Sequence, residues 1–133
     1  MDPFAPILSA WPREARAAFI ALRALCHDAA GAAGVGALEE SLKWGQPAWR
    51  PLRPRTGATL RALWRDAAPD TLALYVDCKT DLAARMQVVY PALGNDGRRT
   101  IETPLHPLPA DALHHLAAMT FTYHLNRGHL RRA

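Results

Sequence analysis

The chain has 133 residues, half of them hydrophobic and 21% charged, with a formal net charge of +4. That length holds one domain around one core, and no apolar run is long enough to cross a bilayer as a helix. Two cysteines, Cys26 and Cys78, are too few for a disulfide framework. The positive charge is almost all arginine, since only Lys43 and Lys79 are lysine. Its densest runs, Arg50–Arg55 and Arg127–Arg132, fall in a proline-rich connector and at the C-terminal end, where a solvated run is the reading. Salt-sensitive attraction to polyanions follows from such charge, but no motif supports specific nucleic-acid binding. The start, MDPFAPILSAWPREA, has no basic leader and no long apolar core, so the expectation is a cytoplasmic protein with no membrane partner.

Residues 1–11, with Pro3 and Pro6, predict an extended arm. Pro12 suits the first turn of a helix. In that helix Ala15, Ala18, Phe19, Leu22, Leu25, Cys26 and Ala29 share one face, while Arg13, Arg16, Arg23 and His27 fall mostly on the other. Gly31 and Gly34 end it. From Leu38 to Trp44, Leu38, Glu40, Leu42 and Trp44 alternate with Glu39, Ser41 and Lys43, the period of a strand with one dry face. Gly45-Gln46-Pro47 reads as a turn and Ala48-Trp49 as a second short strand. Residues 50–58 are an irregular connector, because two prolines and a glycine forbid regular pairing.

Thr59–Arg65 alternates again, with Leu60, Ala62 and Trp64 on the dry side and Arg61, Leu63 and Arg65 opposite. Asp66–Asp70 is a turn. Thr71–Cys78 is the strongest strand, with Leu72, Leu74, Val76 and Cys78 against Ala73, Tyr75 and Asp77. Thr80 is placed to cap a helix over Asp81–Val89, and Pro91 stops it. Asn95-Asp96-Gly97 is a turn, Arg99–Thr103 a short edge strand, and Ala110–Leu125 a last helix burying Leu113, Leu116, Ala117, Thr120 and Phe121. Residues 126–133 are a basic tail. Helix, four strands, helix, strand, helix predicts an α+β two-layer sandwich, a mainly antiparallel sheet covered on one face by the N- and C-terminal helices.

Leu38–Ala48 (LEESLKWGQPA), Leu72–Lys79 (LALYVDCK), Leu105–Pro109 (LHPLP) and Thr122-Tyr123-His124 resemble the YdhG-like family of small bacterial proteins of unknown function. The likeness spans about residues 12–125, so the whole chain reads as one YdhG-like domain. It implies a frataxin-like α+β sandwich. Relatives labelled iron chaperones imply, as an alternative, an iron-handling role. Where frataxin has an acidic ridge, the first helix here shows Arg13, Arg16 and Arg23 against Glu14 and Asp28.

The wet side of the alternation collects Glu39, Ser41, Lys43, Arg61, Arg65, Tyr75 and Asp77 on a sheet face that no helix covers. A small anionic molecule or a protein partner could be held there by Lys43 and Arg61, with Tyr75 beside them and Gln46 and Trp49 forming the rim at the turn. The alternative is a solvated face with cross-strand pairs such as Glu39–Arg61 or Asp77–Arg65. Trp44 and Trp64 are read as core anchors on the dry face. Cys78, between a strand and a helix and beside Lys79, is a candidate reactive thiol for a thiol-dependent enzyme; the other reading is a buried thiol, as for Cys26.

Histidines offer little. His114 and His115 diverge by about 100° on a helix, His124 falls near the buried stripe, and His27, His106 and His129 stand alone. Asp111 and His115 share a helical face and would need a third metal ligand from elsewhere. There is no GxGxxG, Walker loop, HExxH, GxSxG or zinc-knuckle spacing. No catalytic residue, metal set or cofactor is assigned, and the oligomeric state is left open.

Overall fold

In the computed structural model, residues 2–126 are described. The expected tail 126–133, with His129, lies outside them apart from Asn126. The N-terminal segment departs from the extended arm. It holds a short helix, α1 (Ala5–Leu8), with Pro6 at its start, where a missing N–H costs nothing. Burial explains the difference. Phe4, Leu8 and Trp11 all join the core, and Phe4 lies edge-on to Phe19 and Trp49 with ring centroids 5.5 and 5.6 Å away. Removing that apolar area from water outweighs the local preference of the prolines.

Helix α2 (Arg13–Ala32) follows Pro12 directly and buries Ala15, Ala18, Phe19, Leu22, Cys26, Ala29 and Ala30. Gly34 takes φ +74° just past its end. There the amides of Gly34 and Val35 reach back to the carbonyls of Gly31 and Ala30 at 3.1 and 3.0 Å. This is a Schellman stop, which needs a residue tolerant of left-handed backbone.

The strands are β1 (Leu38–Lys43), β2 (Gln46–Pro51), β3 (Leu60–Trp64) and β4 (Thr71–Tyr75). Helix α3 (Leu82–Val89), β5 (Gly94–Asn95), β6 (Thr100–Pro104) and α4 (Ala110–Phe121) complete the chain. One antiparallel sheet has the order β1-β2-β3-β4-β6-β5. Helices α2 and α4 pack together over the face carrying Leu38, Trp49, Leu60, Ala62, Leu72, Leu74 and Ile101. The fold is the expected α+β two-layer sandwich. The expected edge strand near Arg99–Thr103 is not at the edge, because β5 pairs along its outer side. No described helix is long and apolar enough to cross a membrane.

β2 is longer than the sequence suggests and contains Pro47 and Pro51. Its register explains how. Leu52 N donates to Ala37 O at 3.0 Å, so the bonded positions of β1 are the odd-numbered ones. Pro47 and Pro51 lie opposite Leu42 and Leu38, in the pairs that exchange no backbone bonds with β1, and the missing N–H groups leave no gap there. The connector beyond is clamped to α4. Ala58 N donates to Thr120 O at 2.8 Å, and a Cβ on Gly57 would run into the backbone carbonyl of Phe121.

Candidate functional site

Two residues, Trp44 and Gly45, join β1 to β2, with φ of +56° and +73°. Positive φ at both positions matches the right-handed twist of a hairpin and normally selects Asn-Gly. Trp44 is therefore in a backbone region that bulky residues avoid, and it is 90% exposed. The expectation of a core anchor is overturned for Trp44. The alternation of β1 stops at Lys43, and the next side chain leaves the sheet. Trp64 does face the helix side, half-buried, with Nε1 donating to Pro69 O at 3.0 Å.

With the turn at Trp44-Gly45, Lys43 pairs with Gln46, Ala48 with Arg61, and Arg61 with Tyr75. Side chains of paired residues share a face, so Lys43, Gln46, Arg61 and Tyr75 come together on the open side as expected. The Arg61 guanidinium donates to Gln46 Oε1 at 3.1 Å and sits 5.4 Å from the centre of the Tyr75 ring. Trp49 does not belong to this group. It pairs with Glu40 on the helix side, is fully buried, and stacks on Phe19. The same parity that brings Gln46 to the open face sends Trp49 to the other.

The open face dips at the turn end into a depression of about 300 Å³, bordered by Lys43, Trp44, Arg61, Asp77, Cys78 and Arg99. Arg99 arrives through the bond from Val76 N to Arg99 O, 2.9 Å, which prolongs the β4–β6 pairing. β4 itself ends at Tyr75. Asp77 Oδ1 then accepts from Lys79 N at 2.9 Å, and Thr80 Oγ1 donates to Asp77 O at 2.6 Å. That turn breaks the alternation and carries Cys78 outward, so Cys78 is exposed and not on the dry face. Cys26 is buried, and burial pushes its thiol far above the usual range.

Charge on this face is divided unequally. Arg50 pairs with Glu39 at 2.7 Å, directly across β1 and β2, and Arg65 with Glu102 at 2.9 Å. These replace the expected Glu39–Arg61 and Asp77–Arg65 pairs. Among the described residues Lys43, Arg61 and Arg99 make no ion pair. Three cations thus border one depression, with Asp77 the single carboxylate on its rim. An arrangement of this kind suits an anion's oxygen atoms, with flat aromatic surface at Trp44, while Gln46 and Tyr75 lie behind the border and act on it through Arg61.

A second polar centre lies on the helix side, and sequence reasoning missed it. Glu40 accepts from Arg23 at 2.6 and 2.8 Å, lies 2.8 Å from His27 Nε2, and accepts from Trp49 Nε1 at 3.1 Å. Arg23 also donates to Asp2 at 2.9 and 3.1 Å and covers the Phe4 ring. Arg23 first, then His27 and Trp49, hold the Glu40 carboxyl down at about 2. With every strong partner inside the fold, this cluster ties α1, α2 and β1 together.

Three other histidines meet side chains of the fold. His114 Nε2 lies 3.0 Å from Asp28, and His115 Nδ1 is 2.9 Å from the Tyr90 hydroxyl. His124 is exposed against the Tyr123 ring. Among the described residues no group of three or more His, Cys, Asp or Glu side chains is placed to hold a metal ion. No family model, curated protein or solved structure matches the chain.

Proposed function

We propose that this protein binds a small anionic molecule in the depression beside the Trp44-Gly45 turn. The observation that carries the reading is the state of Arg61. Its guanidinium is held by a neutral amide and an aromatic ring, and the two further cations on the depression, Lys43 and Arg99, make no ion pair among the described residues. A guanidinium fixed in this way has its ordering cost largely met before a carboxylate or phosphate arrives. Trp44 supports the same reading, because strained and exposed residues gather at binding sites. The test is a thermal-shift screen with inorganic phosphate, pyrophosphate, citrate and nucleotides at low ionic strength. Hits should stabilise the wild type, and the Lys43→Ala/Arg61→Ala double variant should lose that stabilisation. Identical responses from the two proteins would remove this site.

The place of Cys78 favours a second reading, in which the bound anion meets a reactive thiol. The thiol is exposed on the rim of the same depression, and the neighbouring cations draw anionic reagents toward it. Comparing alkylation by iodoacetate with alkylation by neutral iodoacetamide isolates that attraction. The charged reagent should lose its relative advantage in the Lys43→Ala/Arg61→Ala variant. An unchanged ratio would leave Cys78 outside the field of the site.

A further inference from the structure

The two edges of the sheet are treated differently. One is closed by β5, a strand of two residues. The other is β1, six residues long, with nothing paired on its outer side among the described residues. The bonded positions of β1 toward β2 are the odd ones, as the Ala37–Leu52 bond and the two prolines show. Leu38, Glu40 and Leu42 therefore direct their backbone N–H and C=O groups to the free edge. No described backbone group bonds to them there. An edge of this length with unpaired groups is a template for another strand.

We infer that the free edge of β1 is a self-association surface, and that its partner is a second copy of this chain, paired antiparallel about Ser41. Three observations select that occupant and that register. First, outward-facing groups must meet outward-facing groups, which places Glu40 opposite Leu42 of the second copy. Second, Glu39 then lies opposite Lys43 of the second copy, twice by symmetry, on the open face. The edge charges that would repel an unrelated strand are complementary to themselves in this register alone. Glu40, the other carboxylate of β1, is paired from within by Arg23, and Glu39 already meets Arg50 of its own chain at 2.7 Å, a pair that Lys43 of the second copy joins. Third, the Ser41 hydroxyl is enclosed and has no hydrogen-bond partner, alone among buried side-chain polar atoms of the described residues. In the inferred pair Ser41 lies opposite Ser41 of the second copy at a non-bonded position, and its hydroxyl, covered within its own chain, reaches the partner by rotating toward the seam. Cβ atoms at such positions are about 4.5–5.5 Å apart, within reach of a bond between two hydroxyls.

The experiment is sedimentation of the full chain over a concentration series, with four variants. The wild type should shift from monomer to dimer as concentration rises. Lys43→Glu and Glu39→Lys, each alone, should raise the dimer dissociation constant at least about tenfold, since two opposite-charge pairs become like-charge pairs. The double swap Glu39→Lys/Lys43→Glu should restore the dimer. Leu42→Pro removes an outward N–H without touching the β1–β2 bonds and should give monomer. In a Cys78→Ser background, Ser41→Cys should cross-link to itself when oxidised by copper phenanthroline in air. A wild type that stays monomeric at every concentration overturns the inference, whether or not it takes up an extended peptide at that edge. So does a double swap that fails to restore the dimer, or a Ser41→Cys variant that does not cross-link.

Discussion

The indole N–H of Trp49 donates to Glu40 at 3.1 Å across the β1–β2 pair, beneath α2. A fully buried tryptophan thus anchors the one carboxylate that enters the helix side of the sheet from β1. Trp49 is stacked on Phe19 and met edge-on by Phe4, so it joins α1, α2 and the hairpin in one contact set. Trp49→Ala should cost about 3–5 kcal/mol through lost burial and the cavity left behind. Urea denaturation followed by far-UV circular dichroism measures it.

The Glu40 cluster sets a pH dependence. The carboxyl is moved from an ordinary 4.5 to about 2, chiefly by Arg23. A depressed folded-state value means that the stabilisation is complete above pH 4.5 and is lost as pH falls toward 2. Asp96 loses its contribution over a similar acidic range, because the amides of Thr100, Arg99 and Arg98 hold it at about 2. Denaturation midpoints measured between pH 4.5 and pH 2 should therefore fall steeply for the wild type and less steeply for Glu40→Gln.

Two glycines give opposite expectations. A Cβ on Gly57 would meet the Phe121 backbone, which cannot step aside without dragging α4. Gly57→Ala should cost about 3 kcal/mol or more. Gly31 lies within α2 with open space around it, and Gly31→Ala should stabilise by about 0.5–1 kcal/mol by restricting the unfolded chain. Paired thermal melts of the two variants read both signs.

Trp44 should show a trade-off. Asparagine accepts left-handed backbone more readily than tryptophan, and the indole at this position is almost fully in solvent. Trp44→Asn should therefore raise stability by about 0.5–1 kcal/mol while weakening any ligand that stacks on the indole. Melting temperature and ligand affinity, measured on the same preparation, should move in opposite directions.

Side-chain parity was legible wherever polar and apolar residues alternate cleanly. Glu39, Ser41 and Lys43 on β1, Arg61 on β3 and Tyr75 on β4 all face the way their spacing implies. What failed sits at strand ends. Trp44 satisfies the alternation of β1 by type, yet Gly45 after it makes the better turn partner, and burial preference for tryptophan masked the signal. Once the turn moves to Trp44-Gly45, Trp49 falls opposite Glu40 by counting alone. Cys78 continues the β4 pattern, but β4 ends at Tyr75 and the local bonds of Asp77 and Thr80 turn the chain there. Arg99 was not recoverable from spacing, because its place depends on β6 pairing with β4 across an intervening helix.

The claim that Arg61 is a preset anion site is tested most directly by calorimetric titration with pyrophosphate at low ionic strength. Arg50, already paired with Glu39 on the same face, is the control for bulk charge. The account predicts saturable binding by the wild type and by Arg50→Ala, and loss of binding in Arg61→Ala. Equal binding by all three proteins, or none by the wild type across the anions screened, would contradict it.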